Sequence, residues 1–453
     1  MKYAVVTFGC RVNQADSLEI EGALLAGGGR CVPAAEAELV VVNTCSVTAT
    51  ADQGARQMVR KVARENPCAR IVVTGCYATR RPDEVSALPG VVRVVPNSDK
   101  DHVAHLLLSL EPGARTLGRE STTSERYSGF HDGPCGARLA PGVAGRTAFT
   151  LRVQTGCDQH CSYCIIPGTR GAGQSKPVAW VREAVAAAVG AGYREIAVCG
   201  VHLGSYGRDL RDGSSLAGLV RMLGDWPADV LFRISSLEPM DCGPELVAAM
   251  AGSCRIAPHL HLPLQHGDNA MLQAMRRPYS AGYYEELVTG IAAAIPGVSI
   301  GSDLIAGFPG ETDAQGDALA GLLERLPLSH VHVFPYSDRP GTEASRRRDK
   351  IDGPVTRARA SRLRAIGERL SARFRSSQVG KVRRALVVDD GSSAVTDNYL
   401  KLALDRPRPR NEWVSVLVEG PHLGRVLDKA EGRRQKAETA ELPTTNDQLP
   451  TSA

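Results

Sequence analysis

"FTLRVQTGCDQHCSYC", residues 149–164, runs from an apolar stretch of strand character into Cys157, Cys161 and Cys164, spaced Cys-x3-Cys-x2-Cys, and supplies no fourth cysteine. Thiolates this close in sequence bind iron–sulfur clusters or zinc, and softness alone does not separate the two. A structural zinc site normally takes four ligands from two pairs, so one compact trio after a strand suits a cubane cluster with one iron left open. An open iron takes up a substrate or cofactor, as the open zinc position does in catalytic zinc sites.

Around this loop strand and helix patterns alternate. The strands are "FTLRVQTG", "REIAVCGVHLG", "VLFRISSLEP", "HLHLPLQHG", "VSIGSDLIAGFPG" and "HVHVFPYS", with amphipathic stretches such as "PVAWVREAVAAAVGAG" and "TDAQGDALAGLLERL" between them. Six β/α units in a run of about 200 residues predict a partial (β/α)6 barrel of TIM type, whose chemistry sits at the C-terminal ends of its strands. The polar tails "GVHLGSYG", "SSLEP" and "GFPGET" then share a face with the cysteine loop. Short glycine-rich turns are weak signals alone, but here they let the backbone approach a ligand closely.

The first hundred residues have the same grammar on a smaller scale. Strands "KYAVVTFGC", "AELVVVNTC", "ARIVVTGC" and "VVRVVPN" alternate with helix candidates "ADSLEIEGALLAGG", "TADQGARQMVRKVAREN" and "RPDEVSAL", which predicts a parallel α/β sheet. Three of these strands end in cysteine, at Cys10, Cys45 and Cys76. One such cysteine reads as a small buried residue. Three in the same placement converge outside the carboxyl ends of the sheet, where open α/β folds bind ligands.

The expected organisation is an α/β domain over 1–110, a Gly/Pro/Ser-rich linker over 111–145, the barrel with a basic helix over 146–376, a small β barrel over 377–435 and a disordered tail over 436–453. The net charge of +5 is unevenly spread: Arg346 to Arg384 holds fourteen Lys/Arg against three Asp/Glu, so this segment is +11 and the remainder −6. Leu363, Ile366, Leu370 and Phe374 form an apolar stripe among those arginines, and the excess charge points to a polyanionic partner. No run of eighteen apolar residues occurs, and the N-terminus lacks a signal-peptide pattern, so no membrane association and a cytoplasmic location are expected. In a reducing compartment, twelve cysteines read as metal ligands plus buried thiols.

"CDQHCSYC" on the first strand of a six-unit barrel resembles the radical S-adenosylmethionine (SAM) superfamily, whose three cysteines hold a 4Fe-4S cluster with SAM chelated to the open iron. "TFGCRVNQADS", "VVNTCSVTATAD", "VVTGCYATRRPDE", "CIIPGTRGAGQSKP", "HLPLQHGD" and "GFPGET" narrow this: nearly the whole chain is similar to the methylthiotransferases of the MiaB/RimO/MtaB family, and the C-terminal barrel looks like a TRAM domain. "GCRVNQ", with Arg11 and Val12, is closest to the MtaB branch. That resemblance implies two 4Fe-4S clusters, on Cys157, Cys161 and Cys164 and on Cys10, Cys45 and Cys76. It implies that Tyr163 lies beside the adenine of SAM and that Gly200, Ser235, Glu238 and Gly307, in the strand tails, contact SAM. It further implies that one SAM methylates a sulfur held at the N-terminal cluster. A second is cleaved to a radical that abstracts the C2 hydrogen of N6-threonylcarbamoyladenosine, 3′ of the anticodon in transfer RNA. The implied partners are an anticodon stem-loop, a sulfur donor and an electron donor such as flavodoxin or ferredoxin.

One departure is His266, where the family pattern has a small hydroxyl residue. His259 and His261, like His330 and His332, alternate along strands, and each pair is expected to pack the barrel lumen rather than bind metal. Cys31, Cys68, Cys135, Cys199, Cys242 and Cys254 share no spacing and read as unligated thiols. The alternatives are isopentenyladenosine transfer RNA or a ribosomal-protein aspartate as substrate, and a non-catalytic RNA-binding iron–sulfur protein. The last is disfavoured because a structural cluster would take a fourth protein ligand.

Overall fold

The computed structural model describes residues 1–108 and 147–428, together with Glu431. The linker 111–145, with Cys135, and the tail 436–453 lie outside the described residues.

In the N-terminal unit five parallel strands, β1 (Lys2–Thr7), β2 (Arg30–Cys31), β3 (Leu39–Thr44), β4 (Arg70–Gly75) and β5 (Val91–Val95), lie in the order β2-β1-β3-β4-β5. Helices α1 (Arg11–Ala26), α2 (Ala49–Glu65), α3 (Cys76–Arg80), α4 (Pro82–Ser86) and α5 (Val103–Leu108) flank them. The central strand β3, "LVVVNT", is buried throughout because helices cover both faces. Leu39 and Val41 share one core with Ile20 and Leu24 of α1, and Val40 and Val42 share another with Val59 and Val62 of α2. Each fully buried Leu or Val contributes roughly 1.5–3 kcal/mol. Helix α1 starts at Arg11, four residues earlier than the sequence pattern placed it, because Gly9 turns the chain (φ 91°) and Cys10 takes the N-cap position.

The second unit holds six parallel barrel strands: β6 (Phe149–Arg152), β9 (Glu195–Cys199), β10 (Leu231–Ile234), β11 (His259–His261), β12 (Ser299–Ala306) and β13 (His330–Pro335), with the short pair β7 (Gln154–Thr155) and β8 (Gln174–Ser175) beside them. The β6-β9-β10 and β11-β12-β13 sheets meet through a Phe232–Ile256 bridge, and β6 does not pair with β13, so the barrel is open on one side. Helices α6 (Ile166–Arg170), α7 (Val178–Gly190), α8 (Leu216–Gly224), α9 (Pro244–Ala251), α10 (Asn269–Ala274), α11 (Ala281–Ala294), α12 (Asp313–Arg325), α13 (Glu343–Arg346) and α14 (Gly353–Gln378) complete it. Strand β11 is shorter than "HLHLPLQHG" predicts: Pro263 has no N–H to donate, and pairing resumes only as a Gln265–Leu304 bridge. On the open side α1 meets the barrel, where Val12 and Ala15 pack with Cys199.

In α14, Leu363, Ile366 and Leu370 join the barrel core and Phe374 packs against the C-terminal barrel. Acids outside the basic segment neutralise part of it: α12 supplies Asp313 to Arg359 (2.7 Å), Asp317 to Arg362 and Glu324 to Arg369. Arg346, Arg348 and Arg357 are exposed and have no ion pair among the described residues. The closed C-terminal barrel consists of β14 (Val382–Val388), β15 (Ser393–Thr396), β16 (Lys401–Leu404), β17 (Trp413–Gly420) and β18 (Leu423–Leu427). It docks at the N-terminal ends of the barrel strands, where Asn398 Nδ2 donates to Gly297 O (2.9 Å) and Arg384 pairs with Asp229 (2.6 Å).

Candidate active site

The first trio lies in the loop that leaves the barrel's first strand. Gln159 N–H donates to Cys157 Sγ (3.4 Å), Ile166 N–H to Cys164 Sγ (3.5 Å) and Arg277 Nη1 to Cys161 Sγ (3.2 Å). Burial foremost, opposed by the Ile166 N–H and reinforced by Cys161 and Cys157, pushes the Cys164 thiol up to about 12. Cys157 is raised as well, by burial first and then by Cys161, and three clustered sulfurs that each receive an N–H bond suit a bound cation that draws off their protons.

The second trio forms where α1 follows β1, after β3, and where α3 follows β4. The strand order reverses between β1 and β3, so Cys10 and Cys45 flank the crevice expected of such a sheet. A Cβ on Gly9 would stand 2.6 Å from Cys45 Sγ, so only glycine permits this approach. Burial first, opposed by the Val47 N–H and reinforced by Cys10 and Cys76, pushes Cys45 up to about 11. The donor chemistry of both trios fits a 4Fe-4S cluster held by three protein thiolates.

The trios belong to one interface. Asn97 Nδ2 donates to Cys76 Sγ (3.6 Å) and to the Thr169 carbonyl of α6 (2.9 Å), linking the loops that carry them. Two buried carboxylates fasten the units around this link. Asp16 of α1 receives Lys100 (2.7 Å), Arg170 (2.9 Å) and Arg152 (3.2 Å). Asp52 of α2 receives Arg80 (2.5 Å) and Arg339 (2.8 Å), and Arg339 also bonds the carbonyl of Ser46, next to Cys45 (2.5 Å). Burial alone would raise the Asp16 carboxyl, but Lys100, Arg170 and Arg152 hold it well below the usual carboxylate range.

The expected SAM contacts lie along the C-terminal ends of the strands. Tyr163 packs with Met271, Met275 and Phe308, its ring edge-on to Phe308 at 6.4 Å. Glu238 pairs with Arg277, which reaches Cys161 and also Tyr279 (2.9 Å). Ser235 N–H bonds Val198 O (3.0 Å). Two of the glycines have packing reasons of their own: a Cβ on Gly200 would stand 2.8 Å from Gln154 Oε1, and one on Gly307 2.3 Å from Thr356 Oγ1. His266 is fully buried with Nε2 4.0 Å from Glu311, whose other oxygen accepts from the Gly307 N–H (2.5 Å). Sequence reasoning missed Arg277, Asn97 and the Asp16 and Asp52 nodes. Arg277 follows "HLPLQHGD" without a spacing signature, and the nodes assemble across separate units.

Fold and site together define an iron–sulfur SAM enzyme with a second cysteine trio on a preceding α/β domain. "Uncharacterized protein family UPF0004" matches residues 2–96 and "Radical SAM superfamily" residues 151–323. The threonylcarbamoyladenosine tRNA methylthiotransferase MtaB of Thermotoga maritima is 34% identical, covering 94% of each chain. The protein of the same name from Bacillus subtilis is 33% identical over 87% of this chain and 88% of its own. Among solved structures, the radical SAM methyltransferase TsrM of Kitasatospora setae shares the fold at TM-score 0.55 and 15% identity, over 76% of this chain and 73% of that one. The chain belongs to the radical SAM methylthiotransferases of the MtaB type. Enzymes of this family bind SAM and two 4Fe-4S clusters.

Proposed function

We propose that this protein inserts a methylthio group at C2 of N6-threonylcarbamoyladenosine, 3′ of the anticodon in transfer RNA. The observation that carries the reading is the joining of two three-cysteine sites across one interface, through Asn97 and α6, in a chain 34% identical to an MtaB over 94% of its length. Cys157, Cys161 and Cys164 would hold the cluster that reduces SAM, and Cys10, Cys45 and Cys76 the one that presents sulfur. The groups they bind supply radical chemistry, which an unreactive aromatic C–H requires and no side chain provides.

The chain's own residues do the rest. Arg277 donates to Cys161 and holds Glu238 at the strand ends, and Tyr163 offers an apolar ring face at the same rim. Gly200, Ser235 and Gly307 bring backbone close to the cofactor there. A single-stranded anticodon loop has splayed bases that such a site can admit. Exposed Arg346, Arg348 and Arg357 engage its phosphates, with the C-terminal barrel alongside. We assign residues 1–110 to the sulfur-presenting domain, 146–376 to the radical domain and 377–435 to a TRAM-like domain. No helix among the described residues is long and apolar enough to cross a membrane. We place the protein in the cytoplasm with its RNA, supplied with electrons by a flavodoxin or ferredoxin and with sulfur by a separate donor.

The test is deletion of the gene followed by mass spectrometry of transfer RNA nucleosides and of small-subunit ribosomal proteins. Loss of 2-methylthio-threonylcarbamoyladenosine is the expected result. Its persistence, where no other enzyme supplies it, refutes the reading, and loss of a methylthio-aspartate instead selects the ribosomal substrate.

A further inference from the structure

The two histidine pairs meet inside the barrel. Strand register sets His261 beside Gly301 and Gly301 beside His330, with Asp303 and His332 in the next row, so all four polar side chains project into the lumen. The rings of His261, His330 and His332 form a triangle with centroids 5.5–5.9 Å apart, and one nitrogen from each lies within 4.8 Å of the others.

The row between them is a cradle. A Cβ on Gly301 would stand 2.1 Å from His330 Nε2 and 2.8 Å from His261 Nδ1, so both nitrogens converge on the space that glycine leaves. Their opposite nitrogens are already engaged: His261 Nε2 lies 2.9 Å from Asp303 Oδ1, and His330 Nδ1 lies 3.0 Å from Ser329 Oγ. A carboxylate or hydroxyl on the far nitrogen is the arrangement that fixes the tautomer and orientation of a metal-ligating imidazole. Behind the triangle His259 stacks on His330 at 6.1 Å, buried, with neither ring nitrogen hydrogen-bonded.

We propose that His261 Nδ1, His330 Nε2 and a ring nitrogen of His332 form a divalent-metal site in the barrel lumen, separate from both cysteine trios, with Zn2+ the ion that fits. Three imidazoles with a carboxylate behind one of them leave a fourth position for an oxygen ligand, the donor set of an open zinc site. Tetrahedral bonds of about 2.0 Å need nitrogens roughly 3.3 Å apart, so the triangle contracts by side-chain rotation, which the exposed His332 permits.

The experiment uses the full chain with both clusters loaded anaerobically, dialysed against metal-free buffer and then given equimolar Zn2+. The expected result is about one zinc per chain above the iron, with a Zn-edge X-ray absorption shell of nitrogen and oxygen at about 2.0–2.1 Å. His332→Ala, at an exposed position, and Gly301→Ala, which fills the cradle, each weaken zinc binding at least about tenfold while iron content stays unchanged. A sulfur shell near about 2.3 Å would mean zinc in a cysteine trio and overturns the proposal. So does the absence of retained zinc, or wild-type affinity in the iron-replete His332→Ala protein.

Discussion

Arg170 Nη2 lies 2.9 Å from Asp16 Oδ2, and each residue stands six positions beyond a cysteine of a different trio, Cys164 and Cys10. The two cysteine loops are therefore fastened to one buried carboxylate. Asp16→Asn takes the shared carboxylate away from buried Lys100, Arg152 and Arg170, of which Arg152 also pairs with Glu19. Breaking one partner of a buried ionic group costs about 3–5 kcal/mol, and denaturant unfolding of the N-terminal unit should show it. The Asp16 carboxyl is depressed in the fold, so its contribution is fully present above the ordinary carboxylate range and disappears as pH falls through its lowered folded value.

Glu21 titrates the other way. Burial raises its carboxyl to about 7, and it has no ion pair among the described residues. The folded state binds the proton more tightly than the unfolded chain, so stability falls as pH rises from about 4.5 to 7. Glu21→Gln should raise the melting temperature at pH 8, by an amount equivalent to on the order of 2 kcal/mol, and change little at pH 4.

Arg277 donates to Cys161 Sγ while pairing with Glu238. A cation and an N–H bond at a ligating sulfur stabilise the reduced, more negative cluster. In Arg277→Gln the midpoint potential of the barrel cluster should become more negative and 5′-deoxyadenosine formation fall about 10–100-fold, with iron unchanged. Equal potentials in electrochemical titrations would reduce Arg277 to a packing role.

Iron content separates the trios. Reconstituted protein should hold about eight irons per chain, and about four after alanine replacement of either Cys10, Cys45 and Cys76 or Cys157, Cys161 and Cys164. Four irons in the parent protein would remove the N-terminal cluster.

Replacing Arg346, Arg348 and Arg357 together by alanine should weaken transfer RNA binding and flatten its salt dependence by about 0.7–0.9 in log–log slope per lost phosphate contact. Substitution of Arg359, already paired with Asp313 and Glu311, should affect folding stability more than that slope.

The units of the fold could be read from local patterns because the signals are local. "LVVVNT" is apolar on both faces and announces a doubly covered strand, and the Cys157–Cys164 spacing needs nothing distant to interpret it. The two-residue β2 was missed, being too short to show alternation. The charge of the basic segment could be summed from the sequence, but not which of its arginines are paired, because the acids that hold Arg359, Arg362 and Arg369 come from α12, about 45 residues earlier. The histidine alternation placed both pairs in the lumen, but not that glycine between them would bring His261 and His330 onto one point.

The hairpin turn between β15 and β16 sets Tyr399 under His259, ring centroids 4.4 Å apart, and gives Arg233 two backbone carbonyls, of Thr396 and Asp397. Arg233 is completely buried and otherwise held by Glu195 across two barrel strands. The C-terminal barrel therefore serves as flooring for the catalytic chamber. A chain cut before residue 380 would leave a guanidinium and an imidazole stripped of their cover, so its failure on RNA would reflect a chamber open to water as well as lost contacts.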